Sequence, residues 1–474
     1  MQELHLLTVI LYKIIVIAAI INVLMDNRQP AKTMAWVLVI YFVPIIGVIF
    51  YFFFGINTRR KRLVSQRSMD QLTKRSMLEF VEQQDFKAPE RYEQLIKLFV
   101  NQNMALPFKN NQTQIITDGS DFFLSLLRDI GSAQNHIHLN IYIFANDAIG
   151  RLIADALIDK ALAGVEVRVI YDDVGCWNVP NRFFERMREA GIEVSTFLPV
   201  RFPLFTSKVN YRNHRKMVVI DGHIGYIGGM NIALRYAKGT EKGPWRDTMV
   251  RMEGGAVYGL QRAFLVDWYF VDRTQISDRR YYPPVPSQLQ NDSLAQIVTS
   301  SPATAYPEIM QGYLRIILSA KEYIYLQTPY FLPTDSVLMA LKTAALSSVD
   351  VRVMIPRHSD SRFIRWASRA FLEDMEESGV KIYLYDKGFL HSKMLVCDDQ
   401  LASCGSTNID SRSFENNFED NVFFYHTETA LRFKKIFLED QQLCTPLEQL
   451  SHRYHPRFIY RLWESVIRLL APLL

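Results

Sequence analysis

Cysteine is scarce in this chain: only Cys176, Cys397, Cys404 and Cys444 occur among 474 residues, with no CxxC pair and no metal-ligand spacing. That pattern excludes a disulfide framework and gives no reason to expect a zinc site. The four read as reduced structural thiols, which points to a cytosolic face. Low-complexity tracts and long runs of one charge sign are also missing, so no large segment is expected to be disordered. Lys plus Arg number 54 against 49 acidic residues, a net charge of +5. So small an excess is a poor footprint for a protein built on a polyanion. What the chain has in quantity is apolar surface, with 49% hydrophobic and 12% aromatic residues, and enough length for two or three units with cores of their own.

The apolar residues concentrate first at the N-terminal end. Leu6 to Leu24 is apolar except for Thr8, Tyr12, Lys13 and Asn22, and Met34 to Phe54 contains no ionisable group other than tyrosine. About 20 helical residues cross a bilayer core, so residues 1–58 are expected to form a transmembrane helical hairpin turning at Asp26 to Lys32. Lys13 would lie near mid-membrane unless it snorkels or faces the second helix. A cleaved signal peptide is the competing reading, disfavoured because a second apolar segment follows at once. The basic residues Arg59, Arg60, Lys61, Arg62, Arg67, Lys74 and Arg75 follow the second segment, so the positive-inside rule puts the rest of the chain in the cytoplasm. Residues 59–106 read as a basic juxtamembrane linker with helical character, able to hold the body against anionic headgroups.

From about residue 107 short β-rich runs alternate with helical patterns, the signature of an α/β fold. The pattern then repeats. His138 to Phe144 leads through a helix near 148–163 into Val165-Glu-Val-Arg-Val-Ile170, and Tyr323 to Thr328 leads through 335–347 into Val349-Asp-Val-Arg-Val-Met354. A period of roughly 180 residues is far longer than the 20 to 50 of a solenoid, so this is a duplicated domain. The halves are expected over 107–285 and 286–474, with a seam in the proline-rich stretch between Arg273 and Thr304. Leu198 to Arg212, rich in Phe, Pro and basic residues, reads either as a surface loop or as part of an entrance to a site.

Each half carries one copy of a second pattern. The first is His214-Arg-Lys216-Met-Val-Val-Ile-Asp221, then Gly228-Gly229-Met-Asn231; the second is His391-Ser-Lys393-Met-Leu-Val-Cys-Asp398, then Gly405-Ser406-Thr-Asn408. His and Lys two apart on a strand share a face, so an imidazole and an ammonium can converge on one phosphate. The small pairs at Gly229 and Ser406 would let the backbone approach a phosphate closely, with Asn231 and Asn408 as added donors. A lone histidine in such a setting is ordinarily a satisfied core residue. Two copies in register with a duplicated fold are not explained that way.

Both segments fit H-x-K-x4-D-x6-G-(G/S)-x-N, the motif of the phospholipase D superfamily, and the chain is identified as resembling that superfamily. The fold implied is a duplicated phospholipase D-like α/β sandwich, two pseudo-symmetric halves preceded by the N-terminal hairpin. The chemistry implied is a two-step displacement at phosphorus without metal or other cofactor, in which one His forms a phosphohistidine and the other acts as acid and base. By analogy His214 is the nucleophile. Lys216, Lys393, Asn231 and Asn408 would stabilise charge on the non-bridging oxygens. Asp221 and Asp398 would either orient imidazoles or serve their strands. Asp247 and Glu419 are the candidates for additional acidic support. Gly229 departs from the Ser common at its position, which would leave the first copy one hydroxyl poorer.

A twin apolar N-terminal segment joined to two such motifs resembles the bacterial cardiolipin synthases of the phospholipase D type, over nearly the whole chain. Asn27 to Trp36, Asn140-Ile-Tyr-Ile143 and the ending Arg468 to Leu474 carry the resemblance beyond the motifs. It implies transfer of a phosphatidyl group between two phosphatidylglycerols at a bacterial cell membrane, with phospholipids and no nucleic acid as partners. A membrane-bound phospholipase D hydrolase is the alternative, and a non-catalytic membrane scaffold the alternative of another class. Arg457 to Leu474 forms an amphipathic pattern suited to core packing or to interfacial docking.

Overall fold

A computed structural model describes residues 2–26, 30–51, 55, 89–200, 210–276, 278–285, 293–304 and 306–451. The basic cluster after residue 58, most of the Leu198 to Arg212 stretch, part of the seam and the amphipathic pattern beyond residue 456 lie outside the described residues.

Two mixed sheets organise the body. The first contains, in chain order, β1 (Asn111–Ile116), β2 (His136–Ile141), β3 (Glu166–Asp172), β4 (Glu193–Phe197), β5 (Lys216–Ile220), β6 (Ile224–Gly228) and β7 (Met249–Gly254). They lie side by side as β1-β7-β6-β5-β2-β3-β4. The second contains β8 (Ala295–Ser300), β9 (Tyr323–Gln327), β10 (Asp350–Pro356), β11 (Lys381–Tyr385), β12 (Met394–Cys397), β13 (Leu401–Gly405) and β14 (Glu419–Phe424). Its order is β8-β14-β13-β12-β9-β10-β11, the same arrangement, with short strands Pro107–Phe108 and Cys444–Pro446 added at its edges. The duplication read from the sequence is therefore a duplication of topology. The boundary expected at residue 107 is not where the sheets change: Pro107 and Phe108 pair with Gln296 and Ala295 of β8. Helix Glu93–Asn103, within the expected linker, buries Leu95, Ile96 and Phe99 in the second half's core.

Beyond Lys216, β5 is apolar, as is β12 along its length, because both their faces are covered. In β5, Val218 and Ile220 face a core made with the helices of the first half, while Met217 and Val219 face a core shared by both halves. In β12, Leu395 and Cys397 face the second half's own core, and Met394 and Val396 the shared one. Helices Ala256–Asp272 and Thr427–Gln441 contribute Phe264, Trp268, Phe433 and Phe437 to that shared core. Truncating any of these to Ala would cost about 3 to 5 kcal/mol. The halves are thus joined through a buried apolar interior, which fixes their active edges relative to one another.

At the N-terminal end, Gln2–Asp26 is helical, but the second apolar segment is divided at Val43 into Pro30–Phe42 and Pro44–Phe50. Pro44 has no N–H to donate and opens the second piece. Thirteen helical residues rise only about 20 Å, short of a hydrocarbon core of about 30 Å. Among the described residues no helix is long and apolar enough to cross a membrane, so the two-span hairpin expected from the sequence is not found there. Val23, Trp36, Ile40 and Tyr51 do bring the pieces together in a small cluster. Leu7, Ile14, Ile17, Ile21, Tyr41 and Phe42 remain exposed.

Candidate active site

Each motif histidine lies in the extended approach to its strand rather than within it, His214 before β5 and His391 before β12. Each approach runs beside a segment of the opposite half. The His214 N–H donates to Phe418 O (2.9 Å) and the Phe418 N–H to Arg212 O (2.9 Å), while the His391 N–H donates to Arg246 O (2.7 Å) and the Phe389 N–H to Pro244 O (2.9 Å). The residue after the carbonyl that accepts each histidine N–H is an acid, Glu419 after Phe418 and Asp247 after Arg246. Those acids take the imidazoles of the other half: His214 Nδ1 lies 3.0 Å from both Glu419 carboxylate oxygens, and His391 Nδ1 lies 2.6 Å from Asp247 Oδ2.

Ionised carboxylates can only accept, so each Nδ1 carries its proton toward the acid and each Nε2 keeps its lone pair. Burial would raise both acids, but for Glu419 the opposing His214 and Lys216, with the Ser406 hydroxyl, hold its carboxyl below the usual range. Lys393 and His391 do the same for Asp247. Burial lowers His214 to about 4 and His391 to about 3, Lys216 and Lys393 adding to it, while Glu419 and Asp247 pull the other way. Both imidazoles are therefore neutral near pH 7, the form in which nitrogen attacks.

The lysines are fully buried behind them. Lys216 Nζ donates to His214 O and Lys393 Nζ to His391 O, with Lys393 Nζ also 2.9 Å from His391 Nδ1. Desolvation lowers Lys216 to about 7 and lowers Lys393 as well.

Gly229 and Ser406, expected beside a phosphate, serve the carboxylates. The Ser406 hydroxyl donates to Glu419 Oε2, and the Asn417 amide to Glu419 Oε1 at 3.1 Å. A Cβ on Gly229 would stand 2.1 Å from Asp247 Oδ1. The shorter aspartate lies in the space a serine side chain would fill, so Gly229 with Asp247 is the counterpart of Ser406 with Glu419, without the hydroxyl bond that Ser406 supplies.

Asp221 and Asp398 do not reach the imidazoles. Their strands carry them roughly 16 Å past the lysines. There Asp221 accepts the N–H groups of Gln134, Asn135 and His136 (2.8, 2.7 and 2.8 Å), and Asp398 those of Lys321, Glu322 and Tyr323 (2.9 Å each). Arg91 adds a side-chain bond to Asp398. Burial would raise Asp398, but these donors outweigh it and hold its carboxyl low. Of the two roles left open by the sequence, service to the strands is what the structure shows.

His214, His391, Asn231 and Asn408 line one cavity of about 690 Å³. Asn231 is held by the Ile143 N–H at 3.0 Å and by Tyr236 OH at 2.8 Å. Asn408 keeps its amide oxygen without a hydrogen-bond partner. Tyr142 stands edge-on to His214 with centroids 5.0 Å apart, and Trp245 lies 5.5 Å from His391. Behind His214, Arg215 bonds Asp267, the Glu419 carbonyl and the Ser300 carbonyl, tying the motif to the shared core. Sequence reasoning missed Tyr142, Trp245, Arg215 and Asp267, for which only the tertiary fold supplies a signal. It also missed Arg235 and Arg412 in the cavity wall, although a repeated Asn-x3-Arg spacing marks them. Among the described residues no cluster of three His, Cys, Asp or Glu side chains could hold a metal ion. All four cysteines are free thiols.

Comparison with known proteins accords with this geometry. The family profile described as "Cardiolipin synthase, PLD-like domain" matches residues 126–241 and 313–441, and "Phospholipase_D-nuclease N-terminal" matches 14–55. The major cardiolipin synthase ClsA of Bacillus subtilis (strain 168) is 39% identical over 97% of both chains. A cardiolipin synthase of Geobacillus sp. (strain WCH70) is 38% identical over 97% of this chain and 92% of its own. Among solved structures, phosphatidylserine synthase of Haemophilus influenzae Rd KW20 superposes with a TM-score of 0.60, covering 81% of this chain and all of that one. At 14% identity that likeness bears on the fold alone. Two motifs on a duplicated sheet, with near-full-length similarity at this level, show that the chain belongs to the cardiolipin synthases of the phospholipase D superfamily.

Proposed function

We propose that the chain is a phosphatidyltransferase that makes cardiolipin and glycerol from two molecules of phosphatidylglycerol. The observation that carries the reading is the crossed pairing of His214 with Glu419 and of His391 with Asp247 around one cavity. His214 Nε2 attacks the donor phosphorus and the bond to the headgroup glycerol breaks, leaving a phosphatidyl group on His214. Binding of the anionic donor raises the proton affinity of His391, which takes a proton from solvent at Nε2 as Asp247 stabilises the imidazolium, and it gives that proton to the departing oxygen. His391 then removes a proton from a hydroxyl of the second phosphatidylglycerol, whose oxygen displaces His214. Lys216 and Lys393 act on the non-bridging oxygens, and buried ammonium groups do so more strongly than solvated ones. Asn231 and Asn408 offer amide hydrogens to the same oxygens.

The N-terminal helices serve as the membrane attachment in this reading. Their exposed Leu, Ile and Phe side chains form a larger apolar surface than a water-facing protein tolerates. The basic cluster after residue 58 would hold the catalytic body against the anionic headgroups of the cytoplasmic leaflet of a bacterial membrane. The test is purified enzyme with labelled phosphatidylglycerol in mixed micelles. Cardiolipin and glycerol in equal amounts are expected; phosphatidic acid without cardiolipin would establish a hydrolase instead.

A further inference from the structure

The repeat runs past the asparagines. Asn231-Ile-Ala-Leu-Arg235 and Asn408-Ile-Asp-Ser-Arg412 place an arginine four residues beyond each Asn, and both arginines line the cavity that holds His214 and His391. They stand on different sides of it. The Arg235 guanidinium lies 5.0 Å from the centre of the Trp245 ring, and Trp245 lies 5.5 Å from His391. Arg412 acts electrostatically on Tyr142, which stands against His214. The nearby acids are engaged otherwise: Asp410 accepts the Ser413 N–H at 2.6 Å and Asp360 accepts Tyr330 OH at 2.7 Å. Arg235 Nε has no hydrogen-bond partner although it is shielded from solvent.

This arrangement matches a need of the reaction. Two phosphodiesters enter, and the hydroxyl that reacts in the second step is joined to the acceptor's own phosphate by a three-carbon glycerol. That phosphate must come to rest in the same cavity as the reacting phosphorus, close to the base that activates the hydroxyl. The lysines are already taken, since Lys216 and Lys393, buried beside the motif histidines, act on the oxygens of the reacting phosphorus. We propose that Arg235 is the acceptor-phosphate subsite, seated on Trp245 beside His391, and that it makes the second step selective for an anionic lipid alcohol over a small neutral one. The proposal rests on the cardiolipin synthase reading and on His391 as the base. Arg412 is its pseudo-symmetric counterpart on the side of the attacking histidine, away from the acceptor's phosphate.

The test is full-length enzyme with phosphatidylglycerol micelles and added ethanol, which competes for the phosphatidyl group and yields phosphatidylethanol. Arg235→Gln should lower the ratio of cardiolipin to phosphatidylethanol by roughly ten- to a hundredfold, the effect of losing charge-assisted hydrogen bonds to one phosphate. Arg235→Lys should recover part of that ratio, and Arg412→Gln should leave it near the wild-type value. An equal fall of both products in a folded Arg235→Gln enzyme, with an unchanged thermal midpoint, would overturn the subsite, as would a shift of the ratio in Arg412→Gln instead. If the wild-type enzyme makes phosphatidylethanol and phosphatidic acid but no cardiolipin, the synthase reading fails, a result distinct from failure of the subsite.

Discussion

Replacing Gly229 by alanine adds one methyl group, and the structure states where it would go. The new Cβ would lie 2.1 Å from Asp247 Oδ1, 2.7 Å from Cγ and 2.8 Å from Oδ2, against an ordinary contact of at least 3.4 Å. The carboxylate must therefore retreat by about an ångström, which breaks the 2.6 Å contact to His391 Nδ1 as a hydrogen bond. Asp247 has little room to relax, since its other oxygen is held by the Thr248 N–H at 2.7 Å. Losing a charge-assisted bond costs about 1.5 to 3 kcal/mol, and misplacing a catalytic group by an ångström about a hundredfold in rate. Gly229→Ala should thus lower kcat roughly a hundredfold or more with little change in KM, assayed as cardiolipin formed from labelled phosphatidylglycerol. Ser406→Ala, which removes a hydrogen bond without adding volume, should cost about tenfold or less. The double change Gly229→Ser with Asp247→Glu copies the second half's arrangement and should regain part of the lost rate. Wild-type kcat in Gly229→Ala would refute the claim that the small residue exists to admit the carboxylate.

Other expectations follow from the same geometry. The rate should follow a bell in pH: it falls on the acid side as His214, lowered to about 4, takes a proton, and on the alkaline side above about 7 as Lys216 loses one, and Lys216→Arg should move the alkaline limb up. Stability should also drop as pH falls below 6.5, the ordinary histidine value. The folded state resists protonating His214 and His391 while the unfolded chain does not, so thermal midpoints recorded from pH 7 to 4 should decline and the decline should lessen in His214→Gln. Asp398→Ala strands three buried or part-buried backbone N–H groups, at about 3 to 5 kcal/mol in total, and Asp221→Ala costs less because the Gln134 and Asn135 N–H groups are exposed to water; both should lower the thermal midpoint while the folded fraction keeps its kcat within a few-fold. Glu419→Gln and Asp247→Asn leave the packing intact but no longer fix the imidazole tautomer, and each should cost roughly 10² to 10⁴ in kcat without loss of folding.

The duplication was legible in the sequence because both halves keep the same order of elements and the same Val-acid-Val-Arg-Val strand. The histidines and lysines were legible as one constellation because each motif's spacing is rigid. Glu419 and Asp247 were found as acids, but their crossed assignment was not, because it depends on how the halves meet across the shared core. The part given to Asp221 and Asp398 stayed open for a physical reason: position along a strand tells which face a side chain takes, not that a turn at Asp221 with φ 53° sends its carboxylate back to the start of β2. Gly229 looked like a missing hydroxyl, since the sequence does not reveal that an aspartate one methylene shorter than Glu419 occupies its volume. The second apolar segment looked continuous by hydropathy, which gives little weight to the break that Pro44 imposes.

The central claim is that the two halves build one site in which His214 carries the phosphatidyl group and His391 releases it. The direct measurement is mass spectrometry of the His391→Asn enzyme quenched after exposure to phosphatidylglycerol, since the adduct should form slowly and resolve more slowly still. A phosphatidyl group on the peptide containing His214, absent from His214→Asn, is the predicted result. An adduct on His391 in the His214→Asn enzyme, with none on His214 in the other variant, would contradict the assignment.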